Sequence, residues 1–485
     1  MGSCYECRCT IDGAEQERAC LHTVASVSRV ATRGASARSA DAPPRAHRRI
    51  ACDVLVVGAG PAGLAAAEHA ARRGKRVVLV DENPGLGGQI WRADRGPESA
   101  RARAAVSAKV DVRTETSVVL PLGERRLRLA SRDEVLDVRF DALVLATGAT
   151  ELLLPFPGWT LPNVLGLGGL QALAKGGLEL AGKRVVLAGS GPLLLAVADV
   201  VARKGASVLA VAEQAPRANL ARFGVALAAR PAKLAQAFGF AGALAKLRTS
   251  AWPVEAVGGE RLSAIVLRGA RGLETLECDY AGVGFGLVPN GRLAAALGCA
   301  LDGRRVRVDA EQRTSVAWIF AAGECTGIGG KDKARLEGEI AGASAAGDLE
   351  PARRLAGARE RELAFADRIE RAFAPRAELR TLARPETIAC RCEDVTCGEV
   401  ARATELARGV DADVRDAGAR GGAADAAAFA WRTSKLQTRA GMGACQGRVC
   451  GPALEFLDGR TARDVRAPLA PVTLDALAAP METPQ

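Results

Sequence analysis

Ile50–Val57 is a nearly unbroken apolar run of strand length, the pattern of a strand buried on both faces in a parallel sheet. A glycine turn follows, then a helical stretch to about Arg73, then a second apolar run, Lys75–Val80. Strand, glycine loop, helix and strand predict the right-handed βαβ unit of a doubly wound α/β domain. The pattern repeats from Lys183: strand KRVVLAG, loop SGP, a helix to about Lys204, and strand SVLAVAE. Between the copies, Phe140–Ala146 reads as a buried strand ending at Thr147-Gly148. Beyond them, Ala317–Ala322 runs into Gly323-Glu324, and Lys333–Gly342 has helical character.

This order predicts one Rossmann-like domain split in sequence, residues 50–150 plus 311–347, with a second such domain, 151–310, inserted in it. Residues 1–30 form a short cysteine-bearing piece, and 31–49 have the Ala, Ser, Pro and Arg content of a linker. Residues 348–385 read as a charged helical connector, 386–460 as a small cysteine-bearing domain, and 461–485 as a peripheral tail.

A chain of 485 residues with 48% hydrophobic content can bury several cores. Its net charge of +11 is carried mostly by arginines spread through the sequence, which predicts a basic surface rather than a nucleic-acid groove. Aromatics make up only 4%, and no finger or RNP-type motif is present, so base stacking has no support. No apolar stretch is long enough to span a bilayer; Val185–Val201 is broken by Gly189, Gly191 and Pro192. The first residues lack an apolar signal core, and thiols beside a nucleotide fold fit a reducing compartment, so a cytoplasmic location is expected.

The first glycine turn is Gly58-Ala59-Gly60-Pro61-Ala62-Gly63. In such a turn Gly58 permits the tight bend, Gly60 lets the backbone approach a pyrophosphate, and Gly63 allows close helix packing. The phosphates then meet the free amides and positive end of the helix. Asp81, at the end of the second strand, is placed to accept hydrogen bonds from an adenosine ribose. The run Asp81-Glu82-Asn83-Pro84-Gly85-Leu86-Gly87-Gly88-Gln89 resembles the segment after that acid in two-dinucleotide-domain flavoproteins. Ala146-Thr147-Gly148 and Phe320-Ala321-Ala322-Gly323-Glu324 resemble their second and third flavin-binding stretches. The resemblance implies FAD in this domain, with Glu324 where an aspartate is usual.

In the second turn, Gly189-Ser190-Gly191-Pro192-Leu193-Leu194, a leucine occupies the third glycine position. Glu213 ends the next strand and would favour NAD over NADP. Three readings stay open: an NAD(P) site, a site for another ligand, and a vestigial scaffold. No CxxC lies between residues 50 and 385, which excludes the redox dithiol of disulfide reductases, and Cys325 reads as a lone buried thiol. The three histidines, His22, His47 and His69, lie before or on the first helix, so histidine general-base catalysis is not expected and no catalytic side chain is assigned.

Cys390-Arg391-Cys392 and Cys445-Gln446-Gly447-Arg448-Val449-Cys450 supply two pairs of soft thiolates. Gly441, Gly443, Gly447 and Gly451 can expose amides to sulfur, and these donors with Arg448 would raise the potential of an anionic cluster. Spacing alone leaves [2Fe-2S], zinc and unliganded thiols open; the flavin expectation favours [2Fe-2S]. Cys397 is a spare on the following helix. The run Cys390–Thr396 followed by Lys435–Cys450 resembles the bacterioferritin-associated-ferredoxin-like [2Fe-2S] domain, in the version fused to FAD-binding alpha subunits of opine oxidases, D-hydroxyproline dehydrogenases and hydrogen cyanide synthase. Thr326–Gly330 and Glu337–Gly342 are similar to the same subunits, and the similarity spans residues 50–457. It implies a beta flavoprotein partner that oxidises an amino or imino acid C–N bond, and a small ferredoxin-like subunit. The Ala/Gly-rich residues 411–430 depart from the pattern as an insertion.

Cys4, Cys7 and Cys20 resemble the tail of a plant-type [2Fe-2S] motif whose first ligand would fall before Met1. These 485 residues are therefore not expected to hold that cluster in four-cysteine form. The resemblance thus implies the electron-transfer alpha subunit of an amino/imino-acid dehydrogenase complex, with opines or D-hydroxyproline preferred over glycine as the substrate of the complex. The alternatives are a self-contained NAD(P)H:acceptor oxidoreductase and a non-catalytic assembly subunit.

Overall fold

The computed structural model of the chain describes residues 45–94, 96–107, 109–416, 423–459, 465–470 and 472–478, with the backbone of 8–11, 14–18 and 30–31. Strand β1 (Ala46–Val57), helix α1 (Pro61–Arg72) and β2 (Val77–Val80) form the first βαβ unit. Strands β3 (Asp111–Arg113), β4 (Ser117–Pro121), β5 (Arg126–Ala130) and β6 (Glu134–Leu145) complete this half of the domain. The sheet runs β3-β2-β1-β6, with β5 and β4 beyond. β1 begins four residues before Ile50 because its first half, with His47, Arg48 and Arg49, needs burial on one face only. There it pairs with β6 from Ala46↔Glu134 to Cys52↔Phe140. The second halves of both strands are buried on both faces.

The chain leaves this domain at Ala149–Glu151, a strand that pairs antiparallel with Leu287–Pro289. The inserted domain contains β7 (Val164–Gly166), α2 (Leu167–Lys175), β8 (Arg184–Gly189), α3 (Leu193–Arg203) and β9 (Ser207–Glu213). Helices α4 (Arg217–Ala228) and α5 (Pro231–Phe238), then β10 (Leu247–Thr249) and β11 (Tyr280–Gly284), complete it. Its parallel sheet has the order β10-β9-β8-β11-β7, and an antiparallel three-stranded sheet spans Trp252–Glu277.

The return to the first domain falls at Leu287–Pro289, well before 311. Leu293, Ala294, Cys299 and Val306 already pack in the first domain's core beside Leu143 and Ile319. No long apolar run marks this stretch, so its attachment depends on contacts distant in sequence. β12 (Ile319–Ala321) then pairs parallel with the end of β6, and α6 (Lys331–Ala345) lies on α1. The two helices meet backbone to backbone: a Cβ on Gly338 would stand 2.2 Å from Ala62 O, and one on Gly342 2.1 Å from Ala66 O.

Helix α7 (Glu350–Phe373) connects to the cysteine-bearing domain, built from α8 (Cys397–Asp416), α9 (Ala423–Thr438) and α10 (Cys450–Asp458). The tail is not peripheral. Leu469 N donates to Val119 O at the edge of β4, and Arg45 pairs with Asp475 at 3.8 Å. Fully buried Arg128 donates to Asp137 and to Leu477 O, because a guanidinium out of water requires acceptors on every side. The expected N-terminal cluster residues Cys4, Cys7 and Cys20, and the centre of the 411–430 insertion, lie outside the described residues. Among the described residues no helix is long and apolar enough to cross a membrane.

Candidate functional site

A cavity of about 1850 Å³ joins three groups of predicted residues. At one end Gly58, Gly60, Asp81, Gly88, Gln89, Gly148 and Glu324 line it. Gly63, Gly87 and Gly323 lie behind this wall and act through packing. A Cβ on Gly63 would sit 1.7 Å from Gly58 O, and one on Gly323 2.8 Å from Ala62 Cβ. Gly87, at φ +113°, donates its N–H to Ala59 O at 2.8 Å and so folds the 83–89 segment over the glycine loop.

Asp81 accepts from Ala59 N at 2.6 Å and from Asn83 N at 2.7 Å. Burial holds its carboxyl above the usual range despite these bonds. Glu324 Oε1 accepts from Gly330 N at 2.7 Å, while its buried Oε2 has no hydrogen-bond partner in the protein. Burial likewise raises the Glu324 carboxyl. An orphaned acceptor on a residue that lines the groove, and a Gly60 in the same lining whose missing side chain leaves open space, fit a hydroxyl-bearing dinucleotide. FAD is accommodated by these residues.

Two features here escaped the sequence reading. Lys333 and Glu337, each about 1% exposed, form an ion pair at 2.8 Å under the third stretch, and the lysine also donates to Gly323 O, Thr326 Oγ1 and Gly327 O. The i, i+4 spacing was the available signal. Glu151 accepts from Gly168 N at 2.7 Å at the start of α2, and burial raises its carboxyl. It ties the strand that leaves the first domain to the inserted one.

The same cavity reaches Ser190, Leu193 and Glu213 in the inserted domain, and Arg391, Arg448 and Val449 beside the cysteines. Cys390 and Cys450 share one hydrogen bond and Cys392 and Cys445 another, and the thiols of both pairs feel one another's charge. Gly441 N donates to Cys390 Sγ at 3.4 Å. The hydrogen bond from Cys450 lowers Cys390 to about 7, and that from Cys392 lowers Cys445 to about 6. A Cβ on Gly443 would stand 2.5 Å from Cys392 Cβ, so glycine permits the close approach. Among the described residues no group of three or more His, Cys, Asp or Glu closes around a single ion. Two facing thiol pairs in a small apolar core with Trp431 and Leu454 nevertheless match the donor chemistry of a two-iron cluster. Cys397 starts α8, with its N–H bonded to Thr387 O. His47 bonds Asp137 at 3.0 Å and His69 lies 3.9 Å from Glu339; neither lines the cavity.

Residues 52–348, covering both nucleotide folds, match the pyridine nucleotide-disulphide oxidoreductase family. The chain belongs to that family. It is a flavin-dependent oxidoreductase with one Rossmann-like domain inserted in another. Over nearly its whole length it is homologous to an opine oxidase subunit of Rhizobium meliloti strain 1021, with 30% identity, 88% of this chain and 98% of the relative covered. Hydrogen cyanide synthase subunit HcnB of Pseudomonas aeruginosa is 32% identical, with 82% and 90% covered. Among solved structures, L-proline dehydrogenase from P. horikoshii superposes with a TM-score of 0.61 at 19% identity, over 93% of this chain and 86% of that one, a likeness of fold.

Proposed function

We propose that this chain is the alpha-type electron-transfer subunit of a cytoplasmic complex that oxidises C–N bonds of amino or imino acids, opines or D-hydroxyproline in preference to glycine. A beta flavoprotein and a small ferredoxin-like subunit would complete the complex. The observation that carries the reading is the shared cavity: residues of the first glycine loop and the arginines between the paired cysteines line one space. The near full-length match to the opine oxidase relative supports the choice of complex.

When bound, FAD and a [2Fe-2S] centre would supply two-electron acceptance and one-electron relay, respectively. The chain positions them. The first glycine loop receives the diphosphate at Gly60, with Gly58 and Gly63 holding the turn, and Asp81 anchors the ribose. Gly88, Gln89 and Gly148 would close the groove, and Glu324 Oε2 would accept from a ribitol or pyrophosphate-side group. Cys390, Cys392, Cys445 and Cys450 hold the cluster, with Gly441 N–H and Arg448 offsetting its negative charge. Trp159 Nε1 donates to Ile388 O at 2.7 Å, and Arg292 donates to Gln446 O at 2.5 Å, so the cysteine domain is fixed against both nucleotide folds.

The test is gentle anaerobic isolation of the chain followed by flavin, iron and sulfide counts. The expected result is one flavin, two irons and a reducible EPR signal per chain, with iron lost and flavin kept in Cys390→Ser/Cys445→Ser. Absence of both a flavin spectrum and an iron signal overturns the proposal. Rapid flavin bleaching by NADH without a partner protein would favour the self-contained oxidoreductase instead.

A further inference from the structure

The second nucleotide fold keeps the strand plan of the first, and the connector after α7 lies across its glycine loop. Glu213, where a ribose-holding acid belongs, is 2% exposed and, like Asp81, is turned onto its own loop, so the acid alone does not separate the two folds. It accepts from Gly191 N at 2.7 Å and Ala215 N at 2.8 Å, with Ser190 Oγ 3.1 Å away. The loop's next groups are spent on the connector after α7. Ser190 Oγ donates to Phe373 O at 2.8 Å, and Gln214 Nε2 donates to Ala374 O at 3.1 Å. Arg376 N returns a bond to Gln214 Oε1 at 3.2 Å. Thus the connector after α7 lies on the second glycine loop, and the carbonyl oxygens of Phe373 and Ala374 present their negative ends where a pyrophosphate would approach. Two of the cations that line the cavity are already paired, Lys233 with Asp332 and Arg305 with Glu370.

Most of the side chains that line the remaining space are apolar, with Lys233, Gln236 and Glu370 among them. Leu193 and Leu195 of α3, Leu220, Phe223 and Leu227 of α4, and Phe365 of α7 are among its walls. Phe223 stacks on Phe365 at 5.9 Å and meets Phe373 edge-on at 5.2 Å, so the lining is built around rings. This space is one with the groove that holds the first fingerprint.

We propose that the inserted domain binds an uncharged, ring-bearing apolar ligand of the quinone class in place of NAD(P). Apolar walls favour such a ligand in proportion to the area it hides from water, whereas the diphosphate of NAD(P) would lose its hydration against carbonyls. The choice of a redox-capable ring rests on the flavin assignment, through the shared cavity; the binding itself does not.

The experiment uses the flavin-loaded full chain and equilibrium dialysis against 2-methyl-1,4-naphthoquinone, NADH and NADPH. The quinone is expected to saturate one site, and neither nucleotide to saturate or displace it. Leu227→Glu, which puts a charge in the lining, should weaken quinone binding at least about tenfold. Val225→Glu, on the opposite face of α4 at 76% exposure, should leave it unchanged. Ala237→Trp keeps the wall apolar but fills the space, and should also weaken binding. Saturation by either nucleotide, or quinone binding indifferent to both lining variants, overturns the inference. Normal flavin content with no quinone binding sinks this inference alone, while absent flavin sinks the functional reading.

Discussion

The two nucleotide folds share one strand plan but treat their glycine loops differently. In each, the first glycine is demanded by the fold itself. Gly58 has φ +104°, and a Cβ there would stand 2.2 Å from Ala146 O; Gly189 has φ +140°, and its Cβ would stand 1.8 Å from Gly284 O. The loop crosses the neighbouring strand too closely for any side chain, whether or not a ligand is bound. The third position separates the two. Gly63 lies against the Gly58 carbonyl, bringing α1 hard onto its loop, whereas Leu194 is 1% exposed in an apolar cluster with Leu187 and Val197. The first glycine therefore reports architecture. The third, with whatever roofs the loop, reports what can bind.

The most severe way to probe this contrast is Gly63→Val. Its side chain would begin 1.7 Å from a carbonyl oxygen that sits in the same turn and cannot retreat. We expect loss of flavin and destabilisation beyond about 4 kcal/mol, or failure to fold. Soluble, flavin-loaded Gly63→Val protein, seen by absorbance and size-exclusion chromatography, would remove the distinction between the loops.

The matching change in the second fold is Leu194→Ala. It removes a buried side chain and leaves a cavity at the base of α3, so urea unfolding should show a loss of roughly 2–5 kcal/mol. Flavin content of the folded protein should stay at the wild-type level, because the altered turn serves the inserted domain. Equal loss of flavin in this variant would mean that the two folds bind cooperatively.

Much of this arrangement was legible in the sequence, because βαβ units are written in short apolar runs and their loops in glycine. Both glycine loops follow their apolar strands as local pattern expects, and the first domain is split, though its second part begins earlier than 311. What local pattern did not carry were features made by distant partners. The return at Leu287–Pro289 depends on pairing with Ala149–Glu151, across more than a hundred residues. The tail reads as peripheral in the sequence because its anchor, the buried guanidinium of Arg128, is a charged residue of a type usually found at the surface. The closure of the second loop by Phe373 and Ala374 depends on where a 24-residue helix ends in space. No spacing rule records that.

The finest test of the comparison is the charge on Glu213. Burial, partly offset by hydrogen bonds from Ala215, Gly191 and Ser190, pushes its carboxyl from the ordinary 4.5 up to about 7. Between those values the folded chain holds a proton that the unfolded chain has released. The resulting stabilisation is fully present below 4.5 and is lost as pH rises through 7. Glu213→Gln cannot titrate, and the cost of turning its amide toward a backbone N–H is the same at every pH. Urea midpoints of the two proteins at pH 5 and 7.5 should therefore converge, with the wild-type advantage shrinking by on the order of 2–3 kcal/mol. Parallel pH dependence would mean that Glu213 stays ionised when folded. The carboxylate would then be held as an anion by the amides of Gly191 and Ala215, and the burial argument for its proton would fail.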